Sequence, residues 1–526
     1  MKRFSLAILA SFFFLIGCQS LPEFGTVDPS RVELINGKAR SIEVLSINDF
    51  HGAMAEEPKD KNLGAAKLAT VIFDAKKANP NTLLVAGGDL YQGSALSSIT
   101  KGAVVNEYLA YLGLLNSAIG NHEFDWGPNN FNAWSKDGKF TFLAANIIDK
   151  RTGQIPAWAT PYQVVLLGGH RIAFVGFSTI ETPSKTKADY VVNYDFLEPA
   201  KVAARLVPEI VRDEKPELII AVTHLPSEAD KTIADKASGM PELYELDALA
   251  KVPGIDAVVT GHSHISVAGT VSGVPVVQGY YNGRAVGKLA INFSAENAFT
   301  ITPSAFEAFK SKDKIAEDVG AKKIYEDNYA RYGAGLADKV AVVSGDLAHS
   351  RTANVTPMGK WVCDVLKAHY GVQVYVQNGG GLRKGFSAGA VTVSSFWELM
   401  PYDNYTVTFK TTGKALKEII ASGIDSTDFG HGQFSGVKVR YNPALSGTAK
   451  IVSLTLDDGT VVADNALYTV GTNDLPFFGG DKYTMIQPNA TDVKETFEPV
   501  RDILIEEAKK AGTIVAPSVE GIVTKL

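Results

Sequence analysis

The stretch SAIGNHEFDWG, Ser117–Gly127, stops an apolar run at a glycine and follows it at once with Asn121 and His122, then the acids Glu123 and Asp125. Four other stretches likewise end an apolar run in a possible metal ligand. SIEVLSINDFHG (Ser41–Gly52) runs into Asp49 and His51, and NTLLVAGGD (Asn81–Asp89) ends on Asp89. ELIIAVTHLP (Glu217–Pro226) carries His224, and GIDAVVTGHSH (Gly254–His264) carries His262 and His264. One Asp-x-His is usually a turn, and one histidine near a strand end is usually a satisfied hydrogen-bonding residue. Together the five loops hold five of the nine histidines. Open α/β sheets build their sites at the carboxyl ends of strands, so these loops are expected to converge on one place.

Helical patterns separate the strands. AAKLATVIFDAKKANP (Ala65–Pro80), GAVVNEYLAYLG (Gly102–Gly113) and PAKVAARLVPEIVRDEKP (Pro199–Pro216) have apolar residues at helical spacing. YQVVLLGGHRIAFVGFST (Tyr162–Thr179) reads as a hairpin turning at Gly168-Gly169. Buried strands interleaved with helices argue an α/β layer fold. The charged stretch KDKIAEDVGAKKIYEDNYARYG (Lys312–Gly333) lacks any buried-strand signal and reads as a connecting helix. Beyond it, PMGKWVCDVLKAHYG, VQVYVQNGGGLRKG and NYTVTFKTTGKALKEIIASGI begin a second mixed α/β unit.

Length and composition agree with two domains. The chain has 526 residues, 45% hydrophobic and 21% charged, with a formal net charge of −6. It has no basic tract or stripe, which argues against nucleic acid as a partner. An acidic protein acting on anions must gather positive charge locally, most simply as metal ions.

The amino terminus differs from the rest. Lys2 and Arg3 precede an apolar run from Leu6 to Ile16, the pattern of an export signal and too short for a stable transmembrane helix. The run ends in LIGC, which resembles a bacterial lipobox. That resemblance implies a signal peptide over residues 1–18, a lipidated Cys18 and a polar tether over 19–38. Gln19 after the cysteine implies the outer membrane, facing the periplasm. Cys363 is then the one remaining cysteine, so no intrachain disulfide is expected. Its neighbours Met358, Trp361, Val362 and Leu366 are spaced as on a helix, which makes it a packing residue.

The order Asp-His, Asp, Asn-His, His, His-x-His resembles the calcineurin-like metallophosphoesterase superfamily. QNGGGLR (Gln377–Arg383), LMPYDN (Leu399–Asn404) and FFGGDKY (Phe477–Tyr483) resemble, in that order, stretches of the bacterial 5′-nucleotidase / UDP-sugar hydrolase family. The resemblance implies a four-layer α/β/β/α metallophosphoesterase domain over residues 39–304, a linker helix over 305–339 and a C-terminal mixed α/β nucleotide-binding domain over 340–526. It implies two divalent ions, zinc or manganese, bridged by Asp89. Asp49, His51 and His264 would complete one site, and Asn121, His224 and His262 the other. Mixed oxygen and imidazole donors suit zinc, manganese or iron better than calcium.

His122 resembles the family's catalytic histidine, with Asp125 behind it, and Glu123 is expected to be structural. Asn378, Arg383 and Asp481 are expected to hold the nucleotide, with Tyr405 as one ring against the base. Where the family has its second ring this chain has Leu475, with Phe477 and Phe478 as neighbouring candidates. Arg351 lies near the place of a further family arginine. The expected activity is phosphate release from nucleoside 5′-phosphates, with UDP-sugars or dinucleotides such as NAD as further substrates. A 2′,3′-cyclic-nucleotide phosphodiesterase with 3′-nucleotidase activity, or a nucleotide-binding surface protein without catalysis, are the alternatives. The hinge for domain movement is expected near Ala316–Gly333.

Overall fold

The computed structural model describes residues 23–24, 34–35, 37–56, 61–227, 241–294, 298–426 and 430–526. The expected signal peptide with Cys18 lies outside the described residues, and of the expected tether only residues 23–24, 34–35 and 37–38 are described.

Strict alternation along the strands builds the first domain. In Ser41–Ile47, Ile42 and Val44 point one way while Leu45 and Ile47 point the other, and all four are buried. Thr82–Ala86 repeats this with Leu83 and Val85 opposite Leu84 and Ala86. Leu45, Ile47, Leu84 and Ala86 pack with Leu68, Ile72, Val105 and Leu109 from the helices Gly64–Ala78 and Ala103–Leu112. Ile42, Val44, Leu83 and Val85 instead meet Ile172, Phe174, Ile220 and Val222 of a second sheet. That sheet turns Ala173, Val175, Ile219 and Ala221 onto the helices Pro199–Glu214 and Pro241–Ala250. Strands buried on both faces therefore read as continuous apolar runs, and the result is the α/β/β/α sandwich.

In the first sheet, Ser41–Ile47, Thr82–Ala86, Leu114–Ala118 and Thr141–Leu143 run parallel in that spatial order, and Val286–Phe293 closes antiparallel against Ser41–Ile47. In the second, His170–Ser178, Leu218–His224, Ala257–Val259 and Val274–Gly279 are parallel. The Gly168-Gly169 hairpin forms, with φ of 57° and 86° at the two glycines. The carboxyl ends of the parallel strands of both sheets leave the sandwich at one edge.

The region expected as a linker helix divides. Phe299–Phe306 is a strand of the first sheet, and the helix Val319–Tyr332 starts at Asp318, whose side chain accepts from Ala321 N. That helix lies on the first domain: Asn328 donates to Glu107 at 2.8 Å and Tyr111 to Asp318 at 2.9 Å. The chain passes to the second domain at residues 333–338, where Leu336 O and Asp338 O already accept from Ser394 N and Val393 N.

The second domain centres on a five-stranded sheet, with Val374–Asn378 between Gly432–Ser435 and Leu467–Asn473, then Tyr405–Thr412 and Thr491–Pro499. The helix Pro357–Tyr370 is capped by Thr356, whose hydroxyl accepts from Gly359 N at 3.1 Å, and has Pro357 at its first position. Cys363 lies inside this helix and is fully buried. Among the described residues no helix is long and apolar enough to cross a membrane.

Candidate active site

The five loops meet. Asn48 ties the first to the opposite sheet, donating to Asp49 Oδ2 at 2.7 Å and to the Tyr280 carbonyl at 2.6 Å while its Oδ1 accepts from Gly279 N. Asp49, His51, Asp89, His262 and His264 all have φ between 47° and 77°. The left-handed region costs a non-glycine residue about 1–2 kcal/mol, and persists where surrounding contacts over-determine it. Here the strain is concentrated on five of the expected ligands.

His51 and His224 donate from Nδ1 to the carbonyls of Gln92 and Gly87, at 2.7 and 2.6 Å. These bonds leave both Nε2 atoms facing inward. His51 Nε2 lies 3.2 Å from His264 Nε2. His262 Nδ1 lies 3.2 Å from His224 Nε2 and 3.1 Å from Asn121 Oδ1. Asp89 Oδ2 is 3.2 Å from His224 Nε2, and Asp49 Oδ1 is 3.1 Å from His264 Nε2. Asp49, His51 and His264 present ligand atoms within 4.8 Å of one another, and so do Asp49, Asp89 and His224.

This donor set fits divalent cations. Buried nitrogens face one another in pairs with carboxylates between them, an arrangement that gains most from positive charge at its centre. Burial holds the imidazoles of His51 and His264 well below the usual histidine range, and that of His262 down to about 3. They are therefore neutral and carry lone pairs. Burial also disfavours charge on His224, but Asp89 beside it raises that group to about 10.

Asn121 and His122 separate at a turn beyond the strand. The strand ends at Ala118, and the chain enters a tight turn over His122–Phe124 with Asn121 already at φ −70°, ψ −32°. Asn121 turns to His262, while His122 Nδ1 lies 2.7 Å from Asp125 Oδ2. Burial opposes the imidazolium of His122, and Asp125 and Asp89 outweigh it, raising the pKa. Glu123 points back under the site, accepting from Asp89 N, Leu90 N and Gly120 N at 2.7–2.8 Å. Gly120 is required by close approach, since a Cβ there would stand 2.1 Å from Asp89 Oδ1.

One cleft joins this cluster to the second domain. Its walls include Asp89, Asn121, His122, Asp125, His262 and His264 from the first, and Asn378, Arg383, Asp481, Leu475 and Phe478 from the second. Asn378 donates to Asp481 Oδ2 at 2.6 Å. Arg351 also lines the cleft, and burial with Arg383 nearby lowers its guanidinium to about 9. Phe477 is buried against Phe409 at 5.6 Å, so of the two neighbouring rings it is Phe478 that faces the cleft.

Tyr405, the ring expected against the base, is not among the residues that line it. It opens a core strand, and its hydroxyl donates to Glu495 at 2.5 Å. Tyr402 is the ring in the cleft, 5.7 Å from the His122 imidazole between centroids. Gln92 and Thr186 line the cleft as well, and sequence reasoning missed both. The side-chain amide of Gln92 is buried with no hydrogen-bond partner among the described residues.

Residues 42–266 match the calcineurin-like phosphoesterase family and residues 339–488 the 5′-nucleotidase C-terminal domain. Fold and site thus define a metallophosphoesterase, and the chain belongs to the family of metal-dependent 5′-nucleotidases that joins these two domains. It is 24% identical to "Cell wall protein Lmo0130" of Listeria monocytogenes over 91% of this chain and 69% of that one. It is 26% identical to "Protein UshA" of Yersinia enterocolitica over 85% and 87%. The chain spans only 37% of the longer relative "Endonuclease YhcR" of Bacillus subtilis. A 5′-nucleotidase precursor from Thermus thermophilus superimposes with a TM-score of 0.79 at 22% identity, covering 92% of this chain and 99% of its own.

Proposed function

We propose that the protein releases phosphate from nucleoside 5′-monophosphates, and also cleaves UDP-sugars or dinucleotides such as NAD. The observation that carries this reading is the single cleft, lined on one side by the ligand cluster and on the other by Asn378, Arg383 and Asp481. Two ions, zinc or manganese, would be held by Asp49, His51, His264 and Asp89 on one side and by Asp89, Asn121, His224 and His262 on the other. When bound, they supply Lewis acidity toward the phosphate.

The remaining work falls to the chain's own groups. Arg351 and Arg383 bind the phosphate, and as planar cations they suit bidentate contact with its oxygens. Asp481, held by Asn378, accepts from ribose hydroxyls. Tyr402, Leu475 and Phe478 offer the base two rings and an aliphatic face in place of a tight sandwich of two rings. His122, kept protonated by Asp125, stabilises charge developing on the phosphate and delivers a proton to the leaving oxygen. We also read the chain as exported and anchored through a lipidated Cys18 at the outer membrane, facing the periplasm. Export rests on Lys2, Arg3 and the apolar run to Ile16, lipidation on LIGC and the outer membrane on Gln19, and lipidation is tested by metabolic labelling with palmitate in the wild type and Cys18→Ser.

The test of activity is a substrate panel on the purified protein supplied with manganese or zinc. Phosphate release from AMP, with less from 2′,3′-cyclic AMP, supports this reading. The reverse order supports the cyclic phosphodiesterase.

A further inference from the structure

A short segment of the first domain touches both the second domain and the His122–Asp125 pair. It begins with the single helical turn Thr182–Lys185 and continues along the cleft wall. Lys185 Nζ lies 3.6 Å from Asp481 Oδ1, and Lys187 Nζ lies 3.6 Å from Asp474 Oδ2. These two acids bracket the second-domain segment that carries Leu475 and Phe478 into the cleft. Between the lysines, Thr186 points the other way. Its Oγ1 donates to Asp125 Oδ1 at 2.9 Å, while Asp125 Oδ2 faces His122 Nδ1 at 2.7 Å. Thr186 is 3% exposed, so no solvent competes freely for its hydroxyl.

We propose that Thr186 is a positioning residue for the His122–Asp125 pair, and that the strap of residues 185–187 links that pair to docking of the second domain. The proposal rests on the reading of His122 as the catalytic group. A carboxylate held by one oxygen is free to swing about its Cβ–Cγ bond. Anchored at both oxygens, it fixes the imidazole plane and aims Nε2 into the cleft, and small errors of aim are costly in rate. The lysine contacts exist only with the second domain in place, and Lys185 also has Glu181 of its own domain at 4.0 Å. Docking therefore tensions the strap on which Thr186 sits.

Thr186→Val removes the hydroxyl at nearly constant volume, and Thr186→Ser keeps it. The expected result with AMP is a kcat about tenfold lower in the valine variant, KM within about twofold, metal content unchanged, and at least about half of kcat retained by serine. On an Asp125→Ala background Thr186→Val should add no further loss, because the hydroxyl then has nothing to hold. Full additivity, or serine as slow as valine, overturns the proposal. Thr186→Ala takes the place of valine in the same cycle if the valine variant does not fold.

The double variant Lys185→Met/Lys187→Met should lower kcat on AMP and on p-nitrophenyl phosphate alike, because a slack strap loosens the His122–Asp125 pair whatever the substrate carries. Loss on AMP alone, which the missing Lys185–Asp481 contact would explain through the nucleoside, overturns the link to docking. His122→Ala separates the two levels. If it turns AMP over at the wild-type rate, the reading of the pair itself fails. If it is slow while Thr186→Val is as fast as wild type, only the present proposal fails.

Discussion

The Arg351 guanidinium, on the second domain, donates from Nη2 to Nδ1 of His264, on the first, at 3.2 Å. A guanidinium has no acceptor, so Nδ1 is the receiving atom and a neutral His264 carries its proton on Nε2, toward Asp49 Oδ1. For His264 to ligate through Nε2, that proton must leave and Arg351 must find another acceptor. A phosphate in the cleft is such an acceptor.

Arg351→Met should accordingly raise KM for AMP by about tenfold or more, as expected for loss of a charge-assisted contact of ~1.5–3 kcal/mol. Steady-state kinetics with metal in excess measures it. An unchanged KM would show that Arg351 stays with His264 and does not serve the substrate.

Metal retention should separate neighbours in the site. Asp89→Ala should lose bound metal and turnover together, since Asp89 stands against His224 and receives His122 N at 2.9 Å. His122→Ala should keep its metal and lose turnover, by about 10²-fold or more for a group that acts as general acid. Elemental analysis of the two purified variants decides, and equal metal loss in both would show the roles to be misassigned.

Glu123 is predicted to act through the backbone. Glu123→Gln can keep one oxygen for Asp89 N and Gly120 N but turns an amide NH₂ toward Leu90 N, leaving that buried donor unsatisfied at ~1–3 kcal/mol. Thermal denaturation should show a lowered midpoint, and titration with zinc should show weaker binding, because the Asp89 loop is the part released. A variant with wild-type stability and affinity would contradict the buttress.

The two tyrosines should behave oppositely. Tyr402→Ala should raise KM for AMP by the ~0.5–1.5 kcal/mol of an aromatic contact, about two- to twelvefold. Tyr405→Phe should leave KM near wild type and cost stability only, through loss of the Glu495 hydrogen bond. Steady-state kinetics alongside melting curves separate the two effects.

The ligand set was legible in the sequence because strand ends announce themselves. An apolar run buried on both faces that ends in Asp, Asn or His is a local pattern, and the expected ligands Asp49, His51, Asp89, Asn121, His224, His262 and His264 each lie at or just beyond the end of one. The α/β layering was legible for the same reason, and its four layers followed from the family resemblance. The second domain's contribution was harder to read. Tyr402 and Tyr405 are three residues apart at a strand entry, and which one faces the cleft depends on where pairing with Thr491–Pro499 begins. The helix Val319–Tyr332 has few buried residues of its own and so resembles a free linker, although its packing makes it part of the first domain. Thr186 has no motif, and its role follows only from the meeting of two distant segments.

The proposed activity depends on one cleft that joins the candidate metal cluster to the second domain. The most direct test is phosphate release from AMP by the purified protein, measured with manganese or zinc and again after chelation. The expected result is release that chelator abolishes and added metal restores. No phosphate from AMP, ADP, UDP-glucose or NAD under metal-replete conditions would contradict it.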